Sequence, residues 1–139
     1  MRSTQIPLFT PETEWVMPEE LKDLQGYKEI AIDLETKDPD LMKMGSGSVV
    51  GNGDVVGVAV AVPGWSGYYP IAHEGGGNMD RKKVLNWFQN VLNTPADKIF
   101  HNAMYDVCWI QALGLSVSGK IIDTMIASAL VDENQMRYD

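Results

Sequence analysis

Two carboxylates, Asp33 and Glu35, close the apolar run of "KEIAIDLETKD". On a β-strand, residues i and i+2 share a face and lie about 6.5 Å apart. Two acids so placed repel each other and lose hydration together, so one tends to take up a proton. A divalent cation between them removes that cost, and oxygen ligands of this kind suit Mg2+ or Mn2+. The competing reading is a strand end emerging into water with both acids solvated. A third acid, Asp106, lies in "FHNAMYDVCWIQALG". With Asn102 as the N-cap of a helix, the neighbours of Asp106 along one face are Trp109, Ile110 and Leu113, an apolar stripe directed into the protein. An unpaired carboxylate there is costly. A cation shared with the Asp33/Glu35 face is one compensation. The helix dipole is the other, but it explains an acid in the first turn and not the side it occupies.

The elements that must position these acids follow from periodicity. Residues 1–20 hold three prolines and few periodic apolar positions, so a poorly ordered lead-in is expected there. "PEELKDLQG" predicts a short helix ending at Gly26. "KEIAIDLE" sets Ile30, Ile32 and Leu34 against Ala31, Asp33 and Glu35, a strand. Residues 36–53, rich in Gly and Asp, predict a long mobile loop, within which "GSGSVVG" lacks the strand and helix of a dinucleotide fingerprint. "DVVGVAVAV" predicts a buried central strand. Pro63-Gly64 then turns the chain into "SGYYPIAH", antiparallel to it because so short a turn allows only a hairpin.

After the "HEGGGN" loop, Asn78 or Asp80 is placed to cap the helix "RKKVLNWFQNVLN", whose stripe is Val84, Leu85, Phe88, Val91 and Leu92. "DKIFHN" is a short strand, and "AMYDVCWIQAL" is a helix stopped by Gly114. "KIIDTMIASALV" runs from strand directly into helix, with Asp123 or Thr124 at the cap. Met104, Cys108, Trp109 and Trp87 fit core or boundary packing. The order implies an α/β fold with a mixed sheet: an antiparallel three-strand meander, then parallel strands, with helices packed on it.

A chain of 139 residues suits one domain, and 45% hydrophobic residues supply a core. The net charge of -8 argues against a basic nucleic-acid coat but not against an enzyme that meets phosphate through bound metal. The longest apolar run, from Val55 to Pro63, is too short to span a bilayer, so no membrane partner is expected. The single Cys108 and the lack of an apolar signal region fit a reducing cytoplasm. One Cys with His73 and His101 makes a poor zinc set.

From about Lys28 onward, "AIDLETKD", "HNAMYDVCWIQALG" and "IIDTMIASALV" together resemble the 3′→5′ exonuclease domain of family A DNA polymerases. That is the proofreading domain of the DNA polymerase I type, in the DEDD superfamily of ribonuclease H-like fold, and the wording is most similar to a phage-type member. The resemblance implies catalytic and metal-binding roles for Asp33, Glu35 and Asp106, with Mg2+ or Mn2+ as cofactor, two ions in the complete domain. It implies substrate contacts from Thr36, His101, Asn102 and Tyr105, and from Leu41 as an apolar wedge. The expected substrate is a single-stranded DNA 3′ end, with a polymerase module downstream in the full-length protein. Two metals about 3.5–4 Å apart then activate water and stabilise the leaving 3′ oxygen.

The family's fourth acid, in a Tyr-x-x-x-Asp motif, has no counterpart here, because Tyr138 and Asp139 are adjacent and terminal. Residues 21–139 are therefore expected to form an exonuclease domain incomplete at its C-terminus, weakly active or inactive as it stands. The alternatives are a non-catalytic remnant, scaffold or single-strand-binding domain, and an exoribonuclease trimming RNA 3′ ends.

Overall fold

The computed structural model describes residues 15–134. Most of the expected lead-in, residues 1–14, and the terminal Tyr138 and Asp139 lie outside the described residues. The elements run β1 (Glu29–Lys37), α1 (Leu41–Met44), α2 (Gly47–Val50), β2 (Asp54–Val62), β3 (Trp65–Pro70), α3 (Arg81–Leu92), β4 (Asp97–Phe100), α4 (Ala103–Ala112), β5 (Ile121–Asp123) and α5 (Thr124–Val131). The sheet order is β3-β2-β1-β4-β5. β1–β2 and β2–β3 pair antiparallel, and β1–β4 and β4–β5 pair parallel. This is the mixed α/β sheet expected from the sequence. β1, with its two acids, is the central strand, and β2 lies beside it.

Alternation decides which face is core. Ile30, Ile32 and Leu34 of β1 are buried, as are Val58, Val60 and Val62 of β2 and Tyr69 of β3. They form one cluster with Val84, Phe88, Val91 and Leu92 of α3 and with Trp109 and Ile110 of α4. The opposite face carries Ala31 and Asp33 of β1, Ala59 and Ala61 of β2, and Tyr68 of β3, along an open groove of about 890 Å³. α5 buries none of its residues, and Leu130 and Val131 stand in solvent.

Two expectations are corrected. No helix forms over residues 18–26. Leu24 enters the core there, and the Lys22 carbonyl accepts a hydrogen bond from Trp87 Nε1 at 2.7 Å. Those distant contacts override a helical pattern too short to stand alone. The predicted loop 36–53 begins inside β1 and contains the one-turn helices α1 and α2. The Asp38 carboxylate accepts from the Gly47 amide at 3.1 and 3.0 Å, which ties the start of α2 to the end of β1. A Cβ at Gly47 would fall 1.7 Å from the Asn52 carbonyl oxygen, so only glycine fits there.

Lys98 of β4 is fully buried, and its ammonium donates to the carbonyls of Thr94, Ala96 and Ser118 at 2.5, 2.8 and 2.7 Å. It fastens the entry of β4 to the loop before β5. Lys98→Met leaves three carbonyls without a donor, and the expected loss is about 3 kcal/mol of folding stability. Urea unfolding of the two proteins measures it; an unchanged midpoint contradicts this role.

Candidate active site

Asp33 and Glu35 stand exposed on the groove side of β1, as their spacing requires. β1 and β2 slip register between Glu35 and Thr36: Glu35 faces Gly57, and Thr36 faces Val55. The bulge at Val56 adds twist at the acid-bearing end of the strand. β4 pairs with β1 only from Glu29 to Ala31. Beyond that ladder, the Leu34 amide bonds the carboxylate of Asp106.

Asp106 occupies the first turn of α4 and is 3% exposed. Its Oδ2 is buried without a partner, as is Trp109 Nε1 three residues on. Burial, chiefly, and the charges of Asp33 and Asp123 push its pKa from 3.8 to about 7, against the Leu34 bond, which lowers it. The apolar stripe predicted around Asp106 holds, since Trp109 and Ile110 are buried.

The start of α4 is built differently from the expectation. Asn102 occupies the cap position but is left-handed, at φ 66°, and its side chain makes no cap bond. Asp123, 21 positions on, does that work: its carboxylate accepts from the Asn102 and Ala103 amides at 3.0 and 2.8 Å. The same group caps α5 through the Met125 amide at 2.9 Å. Burial raises the pKa of Asp123, but four backbone amides outweigh it, so the carboxyl lies below its ordinary value. The cap role predicted for Asp123 is correct; its hold on α4 was missed, because no local pattern links residues so far apart. Asp80, not Asn78, caps α3, accepting from the Lys83 amide.

The other predicted residues divide into two groups. Thr36 and Tyr105 meet: their hydroxyls lie 2.9 Å apart, and the Tyr105 hydroxyl donates to Asp38 Oδ2 at 2.9 Å. Asp38 is a partner that sequence reasoning missed. His101 Nδ1 lies 2.9 Å from the Thr124 hydroxyl, which donates to the Phe100 carbonyl at 3.1 Å. That hydroxyl has one proton, so Nδ1 carries the hydrogen and Nε2 is left as an acceptor. His101, Thr124 and Asp33 line the same groove. Asn102 is exposed beside them. Leu41 opens α1, half exposed, beyond the Asp38 turn.

Hard oxygen donors and a buried carboxylate lacking a counter-charge fit a divalent cation. The three acids are not closed into a chelating set: among the described residues, no group of three or more His, Cys, Asp or Glu is gathered to hold an ion. None of the described helices is long and apolar enough to cross a membrane.

A model of the 3′-5′ exonuclease family matches residues 9–139. A DNA-directed DNA polymerase of Pseudomonas phage M6 is 37% identical over 99% of this chain, which spans 22% of that protein. A DNA polymerase I of Chloroflexus aurantiacus is 31% identical over 59% of this chain and 9% of its own length. The fold is similar to Brucella melitensis NrnC with bound Mg2+, at TM-score 0.55 and 18% identity, covering 84% of this chain and 51% of that one. It is also similar to a nuclease solved in its apo form, at TM-score 0.54 and 24% identity, covering 80% of this chain and 47% of that one.

The pKa of Asp106 has a measurable consequence. The folded value, about 7, lies above the ordinary 3.8, so the folded state favours the neutral acid. That stability is complete below about pH 4 and is lost as the pH rises through about 7, by up to about 4 kcal/mol. The melting temperature is expected to fall between pH 5 and pH 8 in the absence of divalent ions, and Asp106→Asn to flatten that fall. Parallel profiles for both proteins contradict the assignment.

Proposed function

From the premise that this chain belongs to the 3′-5′ exonuclease family of DNA polymerase A, we propose that it removes nucleotides from the 3′ end of single-stranded DNA, as the proofreading part of a longer polymerase. Asp33, Glu35 and Asp106 are the proposed ligands for Mg2+ or Mn2+. The observation that carries this reading is Asp106: a buried carboxylate, one oxygen unpartnered, within electrostatic reach of Asp33. A structural acid would be paired or solvated; this one meets no positive charge among the described residues.

A cation pair held there supplies Lewis-acid chemistry, activating water and stabilising charge on the leaving 3′ oxygen. The chain's own residues bind and orient the strand. Tyr105, fixed through its hydroxyl to Thr36 and Asp38 and edge-on to Trp109, offers a rigid ring beside the acids for a terminal base. His101 lines the groove with Nε2 left to accept a hydrogen bond, and the side-chain amide of Asn102 makes no cap bond at the left-handed turn. Leu41 is the proposed apolar wedge. The negative charge of the chain makes tight independent binding of DNA unfavourable, which fits a domain whose strand is delivered by a polymerase module in the same polypeptide.

RNA 3′ ends are the competing substrate. The fold-level likeness to NrnC, which another structure records with pGG bound, is the reason to test both sugars.

A 5′-labelled single strand with Mg2+ or Mn2+ is expected to yield a ladder shortened from its 3′ end. Asp33→Ala should reduce the rate by about 100-fold, the scale of losing one electrostatic stabiliser of the reaction. Competition with the matched oligoribonucleotide assigns the substrate: removal of ribonucleotides alone contradicts proofreading. Undiminished cleavage by Asp33→Ala removes the metal-site assignment.

A further inference from the structure

Tyr68, on the wall of the groove, forms a polar pair with His73 that neither the resemblance nor the proposed mechanism uses. Cross-strand register arranges this face in two rows. Asp33, Ala59 and Tyr68 form one; Glu35, Gly57 and Pro70 form the next. Tyr68 starts in the row of Asp33 and leans across into the row of Glu35. The lean is possible only because residue 57 has no side chain: a Cβ there would lie 1.9 Å from the Tyr68 hydroxyl oxygen and 2.3 Å from the ring carbon that bears it. The phenol therefore ends over Gly57, directly across the strand pair from Glu35.

The hydroxyl is held from its far side. It is hydrogen-bonded to His73 Nε2, and the two rings meet edge to face at 5.9 Å. His73 is itself clamped. Asn78 Oδ1 accepts from its amide at 2.7 Å, and Asn78 Nδ2 donates to its carbonyl at 2.8 Å. Trp15 meets the Tyr68 ring edge to face, with the ring centroids 6.0 Å apart. The Glu35 side chain, by contrast, makes no hydrogen bond among the described residues. Burial first, and then the Glu35 charge, raise the pKa of the phenol, as expected of a hydroxyl kept protonated near a carboxylate.

We propose that Tyr68, braced by His73, is a positioning residue for Glu35: the imidazole Nε2–H donates to the phenol oxygen, and the phenol O–H is thereby directed to the Glu35 carboxylate. An exposed glutamate on a strand samples many rotamers, and fixing it lowers the entropy lost when it takes a cation. Ligand carboxylates commonly need such an outer partner, and here β3 and the loop after it supply one from outside the acid-bearing segments. The inference rests on Glu35 being a cation ligand.

Titration of the 139-residue chain with Mn2+, followed by the electron paramagnetic resonance of the free ion, tests it without any turnover. Thermal unfolding is run on each variant. Tyr68→Phe keeps the ring against Trp15 and is expected to weaken Mn2+ binding by about tenfold at an unchanged melting temperature. His73→Ala should weaken it similarly, and His73→Gln, which retains an N–H donor, should restore it. Wild-type affinity in Tyr68→Phe, alongside lost binding in Asp33→Ala, overturns the positioning role and leaves the acid site intact. Failure of the unmodified chain to bind Mn2+ overturns both. Should Tyr68→Phe also lower the melting temperature, the two His73 variants decide alone, and equal affinities for them reject the proposal.

Discussion

A carboxylate buried inside a protein, with one oxygen met by a backbone amide and the other unpartnered among the described residues, opposes folding. Asp106 is in that position, and much of the local architecture explains how it is kept there. β1 outruns β4, so the Leu34 amide is free to turn toward α4. α4 must then begin at a fixed point beside that strand end. Asp123 sets the point by gathering the amides of Asn102, Ala103 and Met125, so that α4 and α5 start from one anion at the ends of two parallel strands. The same anion contributes to raising the pKa of Asp106. A group that organises the helices thus also increases the demand for positive charge at the site.

The two faces of β1 divide structure from chemistry. One sends Ile30, Ile32 and Leu34 into a core shared with α3 and α4. The other sends Ala31 and Asp33 toward a groove floored by Ala59 and Ala61, with Glu35 further along the same face. Small residues on that floor keep the groove open. Gly57 is the extreme case, since its missing side chain is the space that the Tyr68 phenol fills. Because period two is rigid, no register slip could move the acids without also turning the isoleucines into water.

Features carried by local pattern were legible in the sequence, and features carried by distant contacts were not. The alternation of β1, the stripe of α3 and the strand-to-helix step at Asp123 are set by neighbours within a turn, and the structure keeps them. The direction of Asp106 was legible too, from Trp109 and Ile110. Residues 18–26 show helical spacing, yet Trp87 holds the Lys22 carbonyl and Leu24 is drawn inward. α1 and α2 are four residues each, too short for any period to show. Asn102 has the right chemistry for a cap, but a left-handed backbone and the longer reach of Asp123 displace it. The lean of Tyr68 depends on Gly57, diagonal to it on the adjacent strand, which no single-strand pattern records.

Magnitudes suggest why this arrangement persists. Holding a carboxyl at a pKa of about 7 rather than 3.8 costs up to about 4 kcal/mol at neutral pH, against a typical total of about 5–15 kcal/mol for a domain. A large β-branched core and the buried Lys98 staple offset that cost without removing it. A cation that binds the folded state alone returns stability as its concentration exceeds its dissociation constant. Two exposed acids beside one buried acid suit that exchange. In the proposed site the buried one would supply the unmet charge, and the exposed Asp33 and Glu35 would complete the set of ligands. Preorganising all three would bury more charge and raise the folding cost further. Leaving Asp33 and Glu35 at the surface limits that cost to a single buried acid.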